Sequence, residues 1–507
     1  MLFATLLLAL SPSALPAAGP AVTPPILALT DDAVFASART KLRQGAADVA
    51  VSELNALLDA TSDPDVKRQA ADLLTDAYLA LGDPIAALDM LEGVMDEQPA
   101  HVDFELANGR AFVAWTNQMI ASGATQEDID LTRLDALSSF ENAAELSPAG
   151  DHRALIGEAY LYLYHFGDHA HALEMASAGL EASPDDAELL LLRGCAGVYE
   201  TYNASVAGDT ERADASWNTA VADLRAAAEG LPRERLEPWG QLAYLYESKG
   251  DGVQAVRAAL EIADRQPEPD FDNLYRLAKK YSFERNWNAS SLALQKMTAL
   301  SAIELTRRVR AESELDMVAT ELSWSVGPFV QRNDRATALG ILRALTRAET
   351  NAIDVWHNYA VLLDETGANA DAKVAYEKRI ELDPRNPRAY NDLASLLHRS
   401  MATGDNADEV RAEARELYAK CIELATEQLA EENLADARRN ELTTARTLAT
   451  NSLDEITPKS PERALGGLLD GLLEGLGEAA DGASGEGAGG EGGAPAEGAG
   501  SAGETNS

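Results

Sequence analysis

Four potential metal ligands fall within seven residues of one another: His165, Asp168, His169 and His171, in the run LYHFGDHAHALEMA, with His152 a little upstream. Imidazoles with a carboxylate are the donor set that Zn²⁺ or Cu²⁺ takes. Gly167 interrupts the helix between His165 and His169, however, so the side chains need not share a face, and a polar turn is the alternative reading. No metal or other cofactor is assigned on this basis. Cys195 and Cys421 both lie in apolar helical contexts and read as small core residues. The chain has no G-x-S-x-G, no phosphate-binding loop, no H-E-x-x-H and no dinucleotide fingerprint. With 83 acidic side chains, no pair of carboxylates stands out as acid and base. No catalytic residue is nominated, and the chain is read as a non-enzyme.

The elements that must position these residues repeat along the chain. Pro99, Pro148, Pro184, Pro232, Pro267 and Pro384 each close an apolar helical pattern. Four of them end one ladder with separations of 4, 12, 4 and 8: Ala71, Thr75, Ala87, Leu91, Pro99; Ile156, Tyr160, Ala172, Ala176, Pro184; Trp239, Ala243, Ala255, Ala259, Pro267; and Trp356, Ala360, Ala372, Tyr376, Pro384. Steps of 4 put two side chains on one helix face. Small residues let helix backbones approach, and large ones fill the gap. A glycine at a fixed offset (Gly82, Gly167, Gly250, Gly367) lets the chain turn between two helices. Proline stops the second helix.

This pattern resembles the tetratricopeptide repeat family, whose unit is a helix–turn–helix of about 34 residues. Residues 353–386 carry it best and residues 236–268 nearly as well. Arg379 departs from it, standing where a small residue is usual, and suggests a helix open to solvent on one side there. Longer hairpins are expected around Gln118–Asp130 and within Ala187–Pro232. Two weak repeats and an extra helical stretch near Ile303–Asp316 are expected in Asn273–Thr350. The fold class is therefore all-α, an α-solenoid of about ten hairpins over residues 31–428. An insertion is expected at Ser400–Glu409, and the polar helical pattern of residues 429–453 would cap the array.

The resemblance implies a non-enzymatic scaffold that holds a protein or peptide in a concave groove lined by the first helix of each hairpin. Projecting outward from the core positions selects Tyr164, Tyr199, Tyr244, Tyr275 and Lys279, then His357, Arg388 and Asn391. Solvent-facing tyrosines suit a partner peptide or helix, although each could instead pack between repeats. The family's dicarboxylate clamp for C-terminal peptides needs several Lys, Asn and Arg side chains in adjacent repeats. Here Arg388 and Asn391 stand nearly alone. The alternative function is a small-molecule or metal-binding accessory of envelope transport or assembly.

Charge narrows the partner. The formal charge is −41, of which −8 falls in Pro461–Ser507 and −33 on the repeat region, since nothing before Asp31 is charged. That disfavours nucleic acid and anionic lipid, and favours basic over acidic partners. Residues 1–21 combine the apolar run LFATLLLAL with small residues and prolines, as a secretory signal peptide does, with Ala14, Ala18 or Ala21 as cleavage positions. No basic residue precedes that run. A secreted or periplasmic location is expected, with the cytoplasm as the alternative and no transmembrane segment in the mature chain. Residues 454–507 are rich in Gly, Ala and Glu and are expected to be a disordered tail. Within it Leu465, Leu468, Leu469, Leu472, Leu473 and Leu476 recur at helical spacing beside Asp470, Glu474 and Glu478, a pattern of either a docking helix or a marginal one weakened by glycines.

Overall fold

A computed structural model describes residues 33–403 and 405–457. The expected export segment, the leucine run and the Gly/Glu tail beyond 457 lie outside the described residues. Contacts divide the chain into two compact units, one ending at Thr350 and the other beginning at Asn351. Both are all-helical among the described residues.

Among the described residues the first unit holds eight helical hairpins. They are α1 (Ala33–Arg43) with α2 (Ala47–Ala60), α3 (Pro64–Ala80) with α4 (Pro84–Glu97), α5 (Val102–Ser122) with α6 (Gln126–Leu146), and α7 (Arg153–Leu161, extended by a π-turn Tyr162–Phe166) with α8 (His169–Ala182). Then come α9 (Ala187–Val206) with α10 (Thr210–Gly230), α11 (Glu237–Ser248) with α12 (Gly252–Arg265), and α13 (Phe271–Phe283) with α14 (Trp287–Arg310). The eighth pairs α15 (Leu315–Trp324) and the short α16 (Gly327–Gln331) with α17 (Arg335–Arg347). The extra helical stretch is present as the end of α14, beyond a break at Ser301, whose φ/ψ of −162°/104° is not helical.

One turn chemistry recurs in these hairpins. The turn residue is left-handed, as at Gly167 with φ 67°, and in the seventh and eighth hairpins Arg285 and Asn333 hold it at φ 57° and 61°. The next residue caps the second helix with its side chain. Asp83, Asp168, Asp209, Asp251, Asn286 and Asp334 each accept the backbone N–H three residues on, at 3.1–3.2 Å. That bond satisfies one of the orphan donors of a helix start.

The core is built on the ladder. Ala71, Ala87, Ala172, Ala176, Ala255 and Ala259 are buried between helices. Where the helices come closest, glycine replaces alanine. The Phe140 ring of α6 lies between Gly109 of α5 and Gly157 of α7, so close that a Cβ there would sit 2.7 and 2.4 Å from it. First helices pack on first helices in one row from α1 through α3, α5, α7 and α9 to α11. The sixth and seventh hairpins meet chiefly through their second helices, α12 and α14.

The second unit holds, among its described residues, two hairpins and a final helix: α18 (Ile353–Glu365) with α19 (Asn369–Leu382), α20 (Pro387–Leu396, with a π-turn Leu397–Met401) with α21 (Ala407–Leu429), and α22 (Asp436–Ile456). The last helix starts later than its sequence pattern suggested. Leu429 still belongs to α21, and residues 430–435 form the turn between them. It also runs three residues into the segment expected to be tail. The helix carrying Arg379 is not open to solvent at that position, contrary to expectation. Arg379 is 5% exposed, because Asp392 of α20 neutralises it at 2.7 Å.

Candidate partner-binding face

The row of first helices α5, α7, α9 and α11 carries a strip of aromatic side chains. Tyr160 and Tyr164 on α7 and its π-turn lie with ring centroids 4.9 Å apart. The Tyr160 hydroxyl lies near Asn117 of α5. The Tyr164 hydroxyl donates to the Cys195 sulfur of α9 at 3.7 Å while part of its ring stays exposed. Burial pushes the Cys195 thiol up to about 12, which keeps it protonated and unreactive. One turn along α9, Tyr199 stacks on the His169 ring at 3.7 Å and 20°. Tyr244 on α11 continues the strip. Its pKa is raised by burial and by the nearby phenols of Tyr202 and Tyr199. Beside the strip, Arg235 is held between Glu188 at 2.6 Å and Glu237 at 3.0 Å.

Tyr164, Tyr199 and Tyr244 are therefore brought together, on three successive first helices. Tyr275 is not part of this strip. It was expected to face solvent, but it is buried, with the carboxylate of Glu312, which follows the extra stretch of α14, close to its hydroxyl. Lys279 reaches the same carboxylate at 2.8 Å and lies 5.7 Å from the Tyr275 ring centre. Its charge is thus committed to Glu312 rather than offered to a groove.

His357, Arg388 and Asn391 belong to the second unit. Burial, with Arg379 and Arg388 nearby, holds His357 at about 4, neutral at physiological pH. Arg388 is exposed and lies 3.9 Å from Asp392. Asn391 precedes that aspartate on α20.

The histidine run does not converge. His165 is buried against Tyr160, with ring centroids 5.7 Å apart, and burial lowers its pKa to about 4. Asp168 serves as the cap of α8 and accepts from His171 Nδ1 at 2.7 Å. His169 turns the other way, onto Tyr199. His152 pairs with Asp186 at 3.0 Å. No group of three His, Cys, Asp or Glu side chains able to hold a metal forms among the described residues.

Residue-by-residue projection passed over Tyr160, Asn117 and the Asp72–Arg110–Asp76 cluster. Tyr160 did carry a signal. It fills the ladder slot held by Thr75, Ala243 and Ala360 elsewhere, and a large side chain there has to reach toward the neighbouring hairpin. Arg110 of α5 bonds Asp72 at 2.6 Å and Asp76 at 3.4 Å on α3. Burial raises Asp76 to about 6 in spite of the guanidinium. Nothing in the spacing of these three residues marks them.

The sequence matches no protein-family model and no curated protein. Solved structures similar to it include the MamA protein, at 21% identity over 39% of this chain and 96% of that one, with a TM-score of 0.26. A tetratricopeptide repeat protein of Thermus thermophilus is similar at 19% identity over 48% and 96%, with a TM-score of 0.25. Another, from Parabacteroides merdae, is similar at 15% identity over 59% and 98%, with a TM-score of 0.23.

Proposed function

We propose that the protein is a non-enzymatic scaffold of helical hairpins that holds a protein or peptide partner against its first-helix face, outside the cytoplasm. The observation that carries this reading is the strip Tyr164–Tyr199–Tyr244, where half-exposed aromatic rings from three consecutive first helices line one face. Large, rigid, amphipathic rings of this kind supply contact area at low entropic cost and dominate protein interfaces. The formal charge of −41 makes a basic partner the complementary one, and makes nucleic acid a poor one. The export-like character of residues 1–21 supports the location. Among the described residues no helix is long and apolar enough to cross a membrane.

The test immobilises the full chain and recovers partners from an extracytoplasmic extract at low and at high salt. A basic protein retained at low salt, and lost from the Tyr199→Ala/Tyr244→Ala chain, is the expected result. Retention that is indifferent to both tyrosines would remove the strip from consideration. Sequencing the N-terminus of the protein from its native source locates the processing site and hence the compartment.

A further inference from the structure

The lengths of the hairpins leave a gap. The second helices α6, α8 and α10 have 21, 14 and 21 residues. Each is followed at the same distance by its closing proline, Pro148, Pro184 or Pro232, so they are in register at that end. The whole difference therefore emerges at the turns. The first helices repeat it, with 21 residues in α5, 14 in α7 with its π-turn, and 20 in α9. Seven residues are two helical turns, about 10 Å. The third and fifth hairpins thus overhang the fourth on both sides. Each of them packs on the fourth, and no helix of one packs closely on a helix of the other among the described residues.

The gap is lined with apolar side chains. On α5 the stripe Val113, Asn117, Ile120 faces α7, since Val113 packs against the cluster that holds Ala154 and Leu161 of α7. On α6 the stripe Glu141, Leu137, Leu134 does the same, since Leu137 packs against that cluster too. On α9 the stripe Cys195, Tyr199, Tyr202, Val206 faces the fourth hairpin, through the Tyr164 and His169 contacts. The outermost members are exposed: Ile120 37%, Leu134 54% and Val206 70%, with Phe166 of the π-turn at 37% beneath them. The rims carry Glu127, Asp128, Asp209 and Glu211; of the cations nearby, Arg133, beside buried His165, is held by Asp130, and Arg212 by Glu200.

We propose that this notch is a docking site for a short helical segment of a partner protein, apolar on one face and flanked by Lys or Arg. Its shape is the space that two further turns of the fourth hairpin would fill, so a helix is the matching occupant. Its acidic rims demand a cationic one. The same rims repel the chain's own leucine run, which carries Asp470, Glu474 and Glu478. The proposal rests on the scaffold reading but not on Tyr244, which lies outside the notch.

A fluorescein-labelled cationic helical peptide of Leu, Phe, Ala and Lys serves as the probe, titrated with the full chain and followed by anisotropy. Saturable binding is expected, weakened by salt and by about tenfold or more in the Leu134→Ser/Val206→Ser chain, with Val374→Ser, an equally exposed apolar position in the second unit, leaving it unchanged. Both substituted positions are exposed, and circular dichroism checks that the helices persist. Absence of saturable binding overturns the proposal, as does binding indifferent to Leu134 and Val206. Binding lost only with Tyr244→Ala assigns the peptide to the strip and refutes the notch while leaving the scaffold reading intact. An acidic peptide matching residues 465–478 that binds equally well, or self-association abolished by the double substitution, gives the notch a different occupant and also refutes it.

Discussion

Arg379 Nη1 donates to Asp392 Oδ2 at 2.7 Å, joining the second helix of one hairpin to the first helix of the next inside the second unit. The guanidinium occupies a slot where the repeat ordinarily places a small apolar residue, and the carboxylate makes its burial tolerable. Removing one partner strands the other. Asp392→Ala is expected to destabilise the second unit by about 2–4 kcal/mol. Arg379→Ala/Asp392→Leu, which removes both charges and fills part of the space, should recover most of that loss. Hydrogen exchange across residues 369–400 is the measurement. Equal protection in Asp392→Ala and the parent chain would show that the pair carries no stability.

The close approach at Phe140 makes a second prediction. Alanine is the better helix former by about 1 kcal/mol, so Gly157→Ala would stabilise an isolated helix. In the protein its Cβ would lie 2.4 Å from a ring that Gly109 blocks on the other side. The ring cannot retreat, and a net loss of about 1–3 kcal/mol is expected. Phe140→Leu in the Gly157→Ala background should regain part of it. A raised melting temperature for Gly157→Ala alone would contradict this packing.

How far the sequence reaches can be judged from these same residues. The ladder of Ala, Gly and Pro located the hairpins because helix pairs can approach only where side chains are small, and that constraint is local. It also flagged the overlong third and fifth hairpins and the stretch after Ser301. It did not show that Asp392 would neutralise Arg379, because the two lie 13 residues apart on different helices. Nor did it show Glu312 closing over Tyr275, which depends on where the end of α14 folds back. Tyr164, Tyr199 and Tyr244 were legible as positions that project from the core. Their joining into one strip depended on the stacking of α7, α9 and α11, which periodicity does not encode. The histidine run looked special in sequence because the eye groups neighbours. In the fold its members are divided among a buried slot, a cap and a ring stack.

Asp168 makes that last point testable. As the cap of α8 it should be worth what the equivalent caps are worth, about 0.5–2 kcal/mol. Asp168→Ala and Asp251→Ala are therefore expected to lower the melting temperature by similar amounts, and Asp168→Asn to lower it less, since Asn also caps. Zn²⁺ added to the parent chain should not separate the two positions. If Zn²⁺ raised the melting temperature of the parent and not of Asp168→Ala, the carboxylate would be a ligand and not only a cap.

Glu158 provides the clearest dependence on pH. It is buried on α7, and burial, with the Glu141 carboxylate nearby, raises its pKa from 4.5 to about 7. The folded chain therefore binds this proton more tightly than the unfolded chain. The stability contributed by protonated Glu158 is present in full below about pH 4.5 and is lost as pH rises through 7. His165 has the opposite sign. Its folded pKa of about 4 lies below the ordinary 6.5, so its contribution is lost as pH falls through that interval. Comparing Glu158→Gln with the parent cancels the histidine and isolates the carboxylate. The variant should melt higher at about pH 8, by the equivalent of about 2–3 kcal/mol, and the difference should shrink to nothing near about pH 4. A constant offset across that range would mean that the substituted amide packs differently from the protonated carboxyl, and that Glu158 does not titrate in the fold. A difference that grows toward acid would reverse the assignment and place Glu158 in a stabilising ion pair.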